Sequence, residues 1–178
     1  MTKKECFLMQ GASINEPMTL YYITDIKKDK IRALSICISD EMVQGLEYDS
    51  EYDNDIPEEA IPLPTVTYQN VRTAMLSFLK EIKSFIEENL IEGDFTIEIG
   101  RHYYDGYIHT ITEIGETRLK YNLFRLEEEN ISPCWSGDGF IDSIQNLCLP
   151  ISDSTFDEVI HKYECFVAKL RHELYKEK

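Results

Sequence analysis

The sequence predicts an α+β fold of two layers, an antiparallel sheet packed with two amphipathic helices. The sheet is expected to combine an N-terminal hairpin with a three-stranded meander. Three observations predict it. Strong turn signatures punctuate residues 95–126, helical apolar periods occupy residues 67–90 and the C-terminal stretch, and the 178 residues show no internal repeat as matching sequence. One domain over 1–178 is sufficient at this length.

Glu5–Gln10 reads as a first short strand. Met18–Ile26 and Ile31–Ser39 read as a hairpin around Lys28-Asp29, a register that sets Ile23 against Leu34, Tyr21 against Ile36 and Asp25 against Arg32. Tyr104-Asp105-Gly106-Tyr107 predicts a type I′ turn, because Asp-Gly tolerates the positive φ it needs. Ile114-Gly115-Glu116-Thr117 predicts a type II′ turn. Together they place Phe95, Ile97, Ile99, Tyr103, Ile108, Ile114, Leu119, Tyr121 and Leu123 on one core face. The opposite face then carries three rows: His102, His109 and Asn122; Glu98, Glu113 and Arg118; Tyr104, Tyr107 and Phe124.

Val71, Met75, Phe78, Ile82, Phe85 and Ile86 form the stripe of a helix over Thr67–Leu90, stopped by Gly93-Asp94. Phe156, Val159, Ile160, Tyr163, Val167, Leu170 and Leu174 form the stripe of a C-terminal helix. Its entry is Ser152-Asp153-Ser154-Thr155, where Thr155 and Glu158 have capping-box spacing.

Charge narrows the function. Eighteen Lys+Arg against 33 Asp+Glu give a net charge of −15, which disfavours direct contact with nucleic-acid phosphates. No apolar run approaches the roughly 18 residues of a membrane span, and no signal-peptide pattern follows Met1. The five cysteines are odd in number and include no CxxC pair, which fits reduced thiols in a cytoplasm.

Asp40 to Glu59 holds nine acidic residues and no Lys or Arg, within an expected loop at about 40–63. Three readings compete for it. It is a solvated charge run, a calcium loop with Asp49, Glu51, Asp53 and Asp55 as oxygen ligands, or a recognition surface. The calcium count lacks a Gly at its sixth position and a Glu at its twelfth. For the recognition surface, Glu47, Tyr48, Asp49, Glu51, Tyr52, Asp53 and Asp55 are the partner-binding candidates, with Tyr104 and Tyr107 beside the Asp-Gly turn. Rings supply contact area and clustered charge speeds capture of a basic partner.

His102 and His109 share a row and are weak metal candidates, but Glu98 lies roughly 13 Å from His102 along the strand at ~3.3 Å per residue. His161 and Cys165, one turn apart, read as a solvated helix face. Trp135 reads as a plug at a core edge. Gly137-Asp138-Gly139 lacks the lysine of a phosphate loop. No nucleophile-elbow, zinc-protease or Walker pattern occurs, so a protein without catalysis or cofactor is expected.

The hairpin ending near Asp55-Ile56-Pro57, the helix Thr67–Leu90, the Phe95–Leu126 meander and the C-terminal helix give the chain a layout that resembles small acidic immunity and inhibitor proteins of bacterial toxin systems. The resemblance implies stoichiometric inhibition of a basic toxin or nuclease in the cytoplasm. The alternatives are a phage or mobile-element DNA mimic acting on a defence nuclease, and a small-ligand or metal-binding protein using the His102/His109 face.

Overall fold

The computed structural model describes residues 5–10, 17–27, 30–50, 58–145 and 147–176. Among these residues there are ten strands and three helices. The protein is therefore mostly antiparallel sheet, and the expected two-layer arrangement of a hairpin, a three-stranded meander and two helices is overturned. Contacts divide the chain into two compact units, Met1–Ser77 with Cys165–Lys178, and Phe78–Glu164.

The first unit contains β1 (Glu5–Gln10), β2 (Met18–Lys27), β3 (Lys30–Ile38), β4 (Val43–Ser50) and β5 (Ile61–Leu63), hydrogen-bonded in the order β4-β3-β2-β1-β5. Helix α1 (Val66–Glu88) follows β5 and buries Tyr68, Val71, Met75, Leu79, Ile82 and Ile86 at helical spacing. On one face of this sheet Phe7, Ile23, Ile31 and Ala33 form a buried cluster. The stretch expected as one acidic loop thus contains two strands. The sequence of β4 is acidic and glycine-containing, a poor strand signal that pairing with β3 overrides.

The second unit contains β6 (Gly100–Tyr104), β7 (Tyr107–Ile114), β8 (Arg118–Glu127), β9 (Asn130–Phe140), α2 (Ile141–Gln145) and β10 (Leu149–Ile151), in the order β9-β8-β7-β6-β10. Helix α3 (Asp153–Lys176) follows. The Asp-Gly turn forms as expected, with Asp105 at φ 41° and Gly106 at φ 90°. The meander register does not. The expected type II′ turn at Gly115-Glu116 is replaced by one centred on Glu116-Thr117, closed by the Gly115 N–H donating to the Arg118 carbonyl at 2.8 Å. A bulge between Ile111 and Glu113 then moves the pairing back by one, so Phe124 faces Ile108, Leu123 faces His109, and Asn122 faces Thr110. Phe124 therefore leaves the expected aromatic row for the buried face of Tyr103 and Ile108. Ile111 and Leu119 pack on the opposite face with Ile144 and Cys148. Phe95 and Ile99, expected in a strand, lie outside one and are exposed.

The two sequence halves repeat one topology, four meandering strands, a short fifth strand beside the first, then a helix. With the registers aligned, residue n of the first half answers to n plus 88 over 18–40 and 61–88. Ile23-Thr24-Asp25-Ile26 answers to Ile111-Thr112-Glu113-Ile114, and Pro62, Thr67, Val71 and Phe78 answer to Pro150, Thr155, Val159 and Phe166. The same bulge interrupts both hairpins. In each, the threonine hydroxyl donates to the carbonyl across the strand, Thr24 to Arg32 at 3.1 Å and Thr112 to Lys120 at 3.3 Å. Buried positions match along both helices: Met75 with Tyr163, Leu79 with Val167, Ile82 with Leu170, Ile86 with Leu174.

Ser152, not Thr155, caps α3. Its hydroxyl accepts the Thr155 backbone N–H at 3.1 Å, and its carbonyl accepts from Phe156. Ser152→Ala is expected to cost about 1 kcal/mol, and Ser152→Gly only a few tenths, as read by urea denaturation.

Candidate functional site

The partner-binding residues expected from sequence divide into three groups. Glu47, Tyr48 and Asp49 lie in β4, their backbones in register with Leu34, Ala33 and Arg32. Glu51, Tyr52, Asp53 and Asp55 lie outside the described residues, as does the calcium loop they would form. Tyr104 and Tyr107 flank the Asp-Gly turn as cross-strand partners. Tyr104 is exposed, whereas Tyr107 is half-buried and donates its hydroxyl to Glu127. That hydrogen bond is the main reason its phenol is pushed up from the ordinary value.

A second acidic surface went unrecognised in the sequence because its residues were divided between a helix end and a strand. From Ser84 to Gly100 there is no Lys or Arg. Glu87, Glu88, Glu92, Asp94 and Glu98 are all exposed, and Ile91 and Phe95 are exposed among them. The segment is nonetheless anchored. Leu90 bridges to Ile151, the Ile91 N–H donates to the Pro150 carbonyl at 3.0 Å, and half-buried Ile97 packs against the Ile111 cluster. The Phe95 ring lies on Gly93, where a Cβ would come within 3.2 Å of it. Five carboxylates and an aromatic ring are thus presented on a pinned backbone.

Six of the basic side chains are committed to local carboxylates. Arg101 meets Asp153 at 2.5 Å, Arg118 meets Asp138 at 2.5 Å, Lys120 meets Glu113 at 2.7 Å, and Arg171 meets Asp40 at 2.9 Å. Arg125 and Lys162 pair likewise with Glu127 and Glu158. The expected triad of Glu98, Glu113 and Arg118 does not form, since the turn pairs Gly115 with Arg118 and so sets Glu113 opposite Lys120.

His102 and His109 do come together, as cross-strand partners on β6 and β7. Cys148 joins them, its Sγ 3.9 Å from His109 Nδ1, and the Tyr121 ring meets His109 edge-on at 4.8 Å. His102 is 2% exposed and neither ring nitrogen has a hydrogen-bond partner. Burial lowers its pKa; the Gly100 carbonyl nearby and Glu98 oppose the shift, although the Gly100 contact falls short of hydrogen-bond geometry. Burial also lowers His109, with His102 adding to it, and pushes the Cys148 thiol up to about 11. Both imidazoles are therefore neutral near neutrality and the thiol is protonated. Among the described residues no three His, Cys, Asp or Glu side chains are grouped to hold a metal ion.

The topological equivalents of this trio are Phe7, Tyr21 and Ala60, and there Phe7 and Tyr21 stack at 5.0 Å. A pH dependence follows. The unfolded chain takes up protons at both histidines as pH falls below their ordinary 6.5, while the folded chain resists. Stability contributed by the neutral pair is present above that value and is lost as pH falls through it toward the lowered native values. Urea denaturation of His102→Phe/His109→Tyr is expected to show a flatter stability profile below pH 6.5 than the parent.

Trp135 is not a plug: it lies on β9 and is 60% exposed. Gly137 is small because the Tyr121 ring covers it, leaving 2.9 Å to any Cβ. His161 and His172 are exposed on α3. Among the described residues no helix is long and apolar enough to cross a membrane. Comparison with known protein families, curated proteins and solved structures finds no match for the chain.

Proposed function

We propose that the protein is a non-catalytic acidic binding protein that occupies and neutralises a basic protein partner, a toxin or nuclease, in the cytoplasm. The observation that carries this reading is the pinned segment from Glu87 to Glu98, with its exposed carboxylates around Phe95, on a chain of net charge −15. Opposed charge speeds encounter and selects cationic partners, while an exposed ring among the charges supplies desolvated contact. The sequence from Glu47 to Asp55 is acidic as well.

Affinity capture from the native cell, followed by identification of bound proteins, is the first test. A basic nuclease or toxin is expected. Replacing Glu87, Glu88, Glu92, Asp94 and Glu98 with their amides is then expected to weaken binding of that partner about tenfold or more at low salt, a change of about 1.4 kcal/mol. The melting transition should stay within about 0.5 kcal/mol of the parent. Capture of no basic protein, or an unchanged affinity, rejects the reading.

A further inference from the structure

The repeat provides an internal reference. Where the two units differ in a way that opens space, the difference needs a reason beyond folding. Such a place lies beneath the first turns of α3. Arg101, Thr110, Asn122 and Ser136 form one row in register across β6, β7, β8 and β9. The row floors a cavity of about 430 Å³, with Trp135 and Phe156 on its walls. In the first unit the equivalents of Arg101, Thr110 and Asn122 are Cys6, Tyr22 and Leu34, and Tyr68 stands where Phe156 does. There the rings of Tyr22 and Tyr68 stack with centroids 5.4 Å apart, and Cys6 is buried. Three of the four places in the first unit's row thus hold Cys6, Tyr22 and Leu34, with a stacked tyrosine pair over them. The second replaces them with a guanidinium, a hydroxyl and a carboxamide, and leaves a gap.

The geometry points to a ligand site in this cavity for a neutral polyhydroxylated molecule, a saccharide of two linked rings. The lining and its charge select that chemistry. The volume falls in the range of small-molecule pockets. The row crosses four strands about 4.8 Å apart, or about 14 Å end to end, longer than one ring needs. The charge of Arg101 is already met by Asp153 at 2.5 Å and its guanidinium lies 4.2 Å over the Phe156 ring, so the cavity offers hydrogen bonds rather than a free cation. Arg101 Nε is buried with no hydrogen-bond partner, a donor awaiting an acceptor such as a hydroxyl oxygen. Ser136 donates to Asn122 at 3.2 Å, which orients the carboxamide with its oxygen on the serine and its N–H₂ group available. The Phe156 ring, already on the cavity wall, offers apolar area to the C–H face of a pyranose ring. A ligand bearing net negative charge would meet a chain at −15.

Isothermal titration calorimetry reports occupancy directly. The intact protein is titrated with maltose, cellobiose, lactose and N,N′-diacetylchitobiose, and separately with adenosine. Saturable heat is expected with at least one disaccharide. Thr110→Tyr and Asn122→Leu import the first unit's residues. Each is expected to weaken the response about tenfold or more while the melting transition is retained. If one variant fails to fold, the other decides. No saturable response to any of the four disaccharides overturns the inference, as does a response to adenosine alone, or an affinity unchanged in both folded variants. None of these outcomes bears on capture of a basic protein.

Discussion

Ile111→Lys is expected to cost about 4 kcal/mol or more, enough to remove most of the stability of an ordinary domain. Ile111 is 1% exposed and packs with Leu119, Ile144 and Cys148, with Ile97, Tyr121 and Ile141 at the edge of the cluster. The substitution removes the burial of a branched side chain and puts an ammonium among apolar groups, where it must lose its proton or open the structure. Ile111→Val separates these effects, because it deletes one methylene and should cost about 1 kcal/mol. Ile23→Lys should behave like Ile111→Lys, since Ile23 holds the equivalent position and is equally buried. Loss of the cooperative urea transition in both lysine variants, with its retention in the valine variant, is the expected outcome. A melting temperature equal to the parent's in Ile111→Lys would contradict the register of β7.

Gly106→Val is expected to cost about 3 kcal/mol. Gly106 has φ 90°, and a Cβ there would stand 2.7 Å from the Leu126 carbonyl oxygen. That oxygen cannot retreat easily, because the Leu126 N–H donates to the Gly106 carbonyl at 2.6 Å. Strain and collision therefore add. Asp105, at φ 41°, lies in the small left-handed region that Asn also visits readily, so Asp105→Asn should stay within about 0.5 kcal/mol of the parent. Chemical denaturation of the three proteins in parallel measures the contrast.

The Asp-Gly turn could be read from sequence because its requirement is local: two consecutive residues must accept positive φ. The helices could be read because their apolar period extends over more than twenty residues. The bulges could not. A threonine inside an alternating strand looks like any other strand residue, and only the pairing shows that Thr24 and Thr112 each take an extra place. That single residue, acting with a turn that closes one residue later than expected, carries Phe124 from the expected aromatic row into the core. β9 was hidden for a different reason. Pro133, Gly137 and Gly139 signal loop, yet Pro133 sits at a register shift and Gly137 lies under a tyrosine ring, so both are compatible with the ladder. The repeat is not legible as sequence because the property its halves share is burial rather than identity: Met75 and Tyr163 occupy one position with unlike side chains. The acidic segment before β6 has the apolar alternation of a strand at Phe95, Ile97 and Ile99, which conceals that its carboxylates share one exposed stretch. The cavity beneath α3 had no sequence signal, because it is defined by what is missing relative to the first unit.

The boundaries of the repeat and those of the compact units do not coincide. The first copy ends near Glu88, but the first unit stops at Ser77 and resumes with Cys165–Lys178. A protease nick or a stop codon between the copies would therefore not release a finished half. The amino-terminal fragment would lack Val167, Leu170 and Leu174, three buried members of its own unit. Limited digestion in that connection should yield two pieces that remain associated, and expression of either piece alone should yield insoluble material.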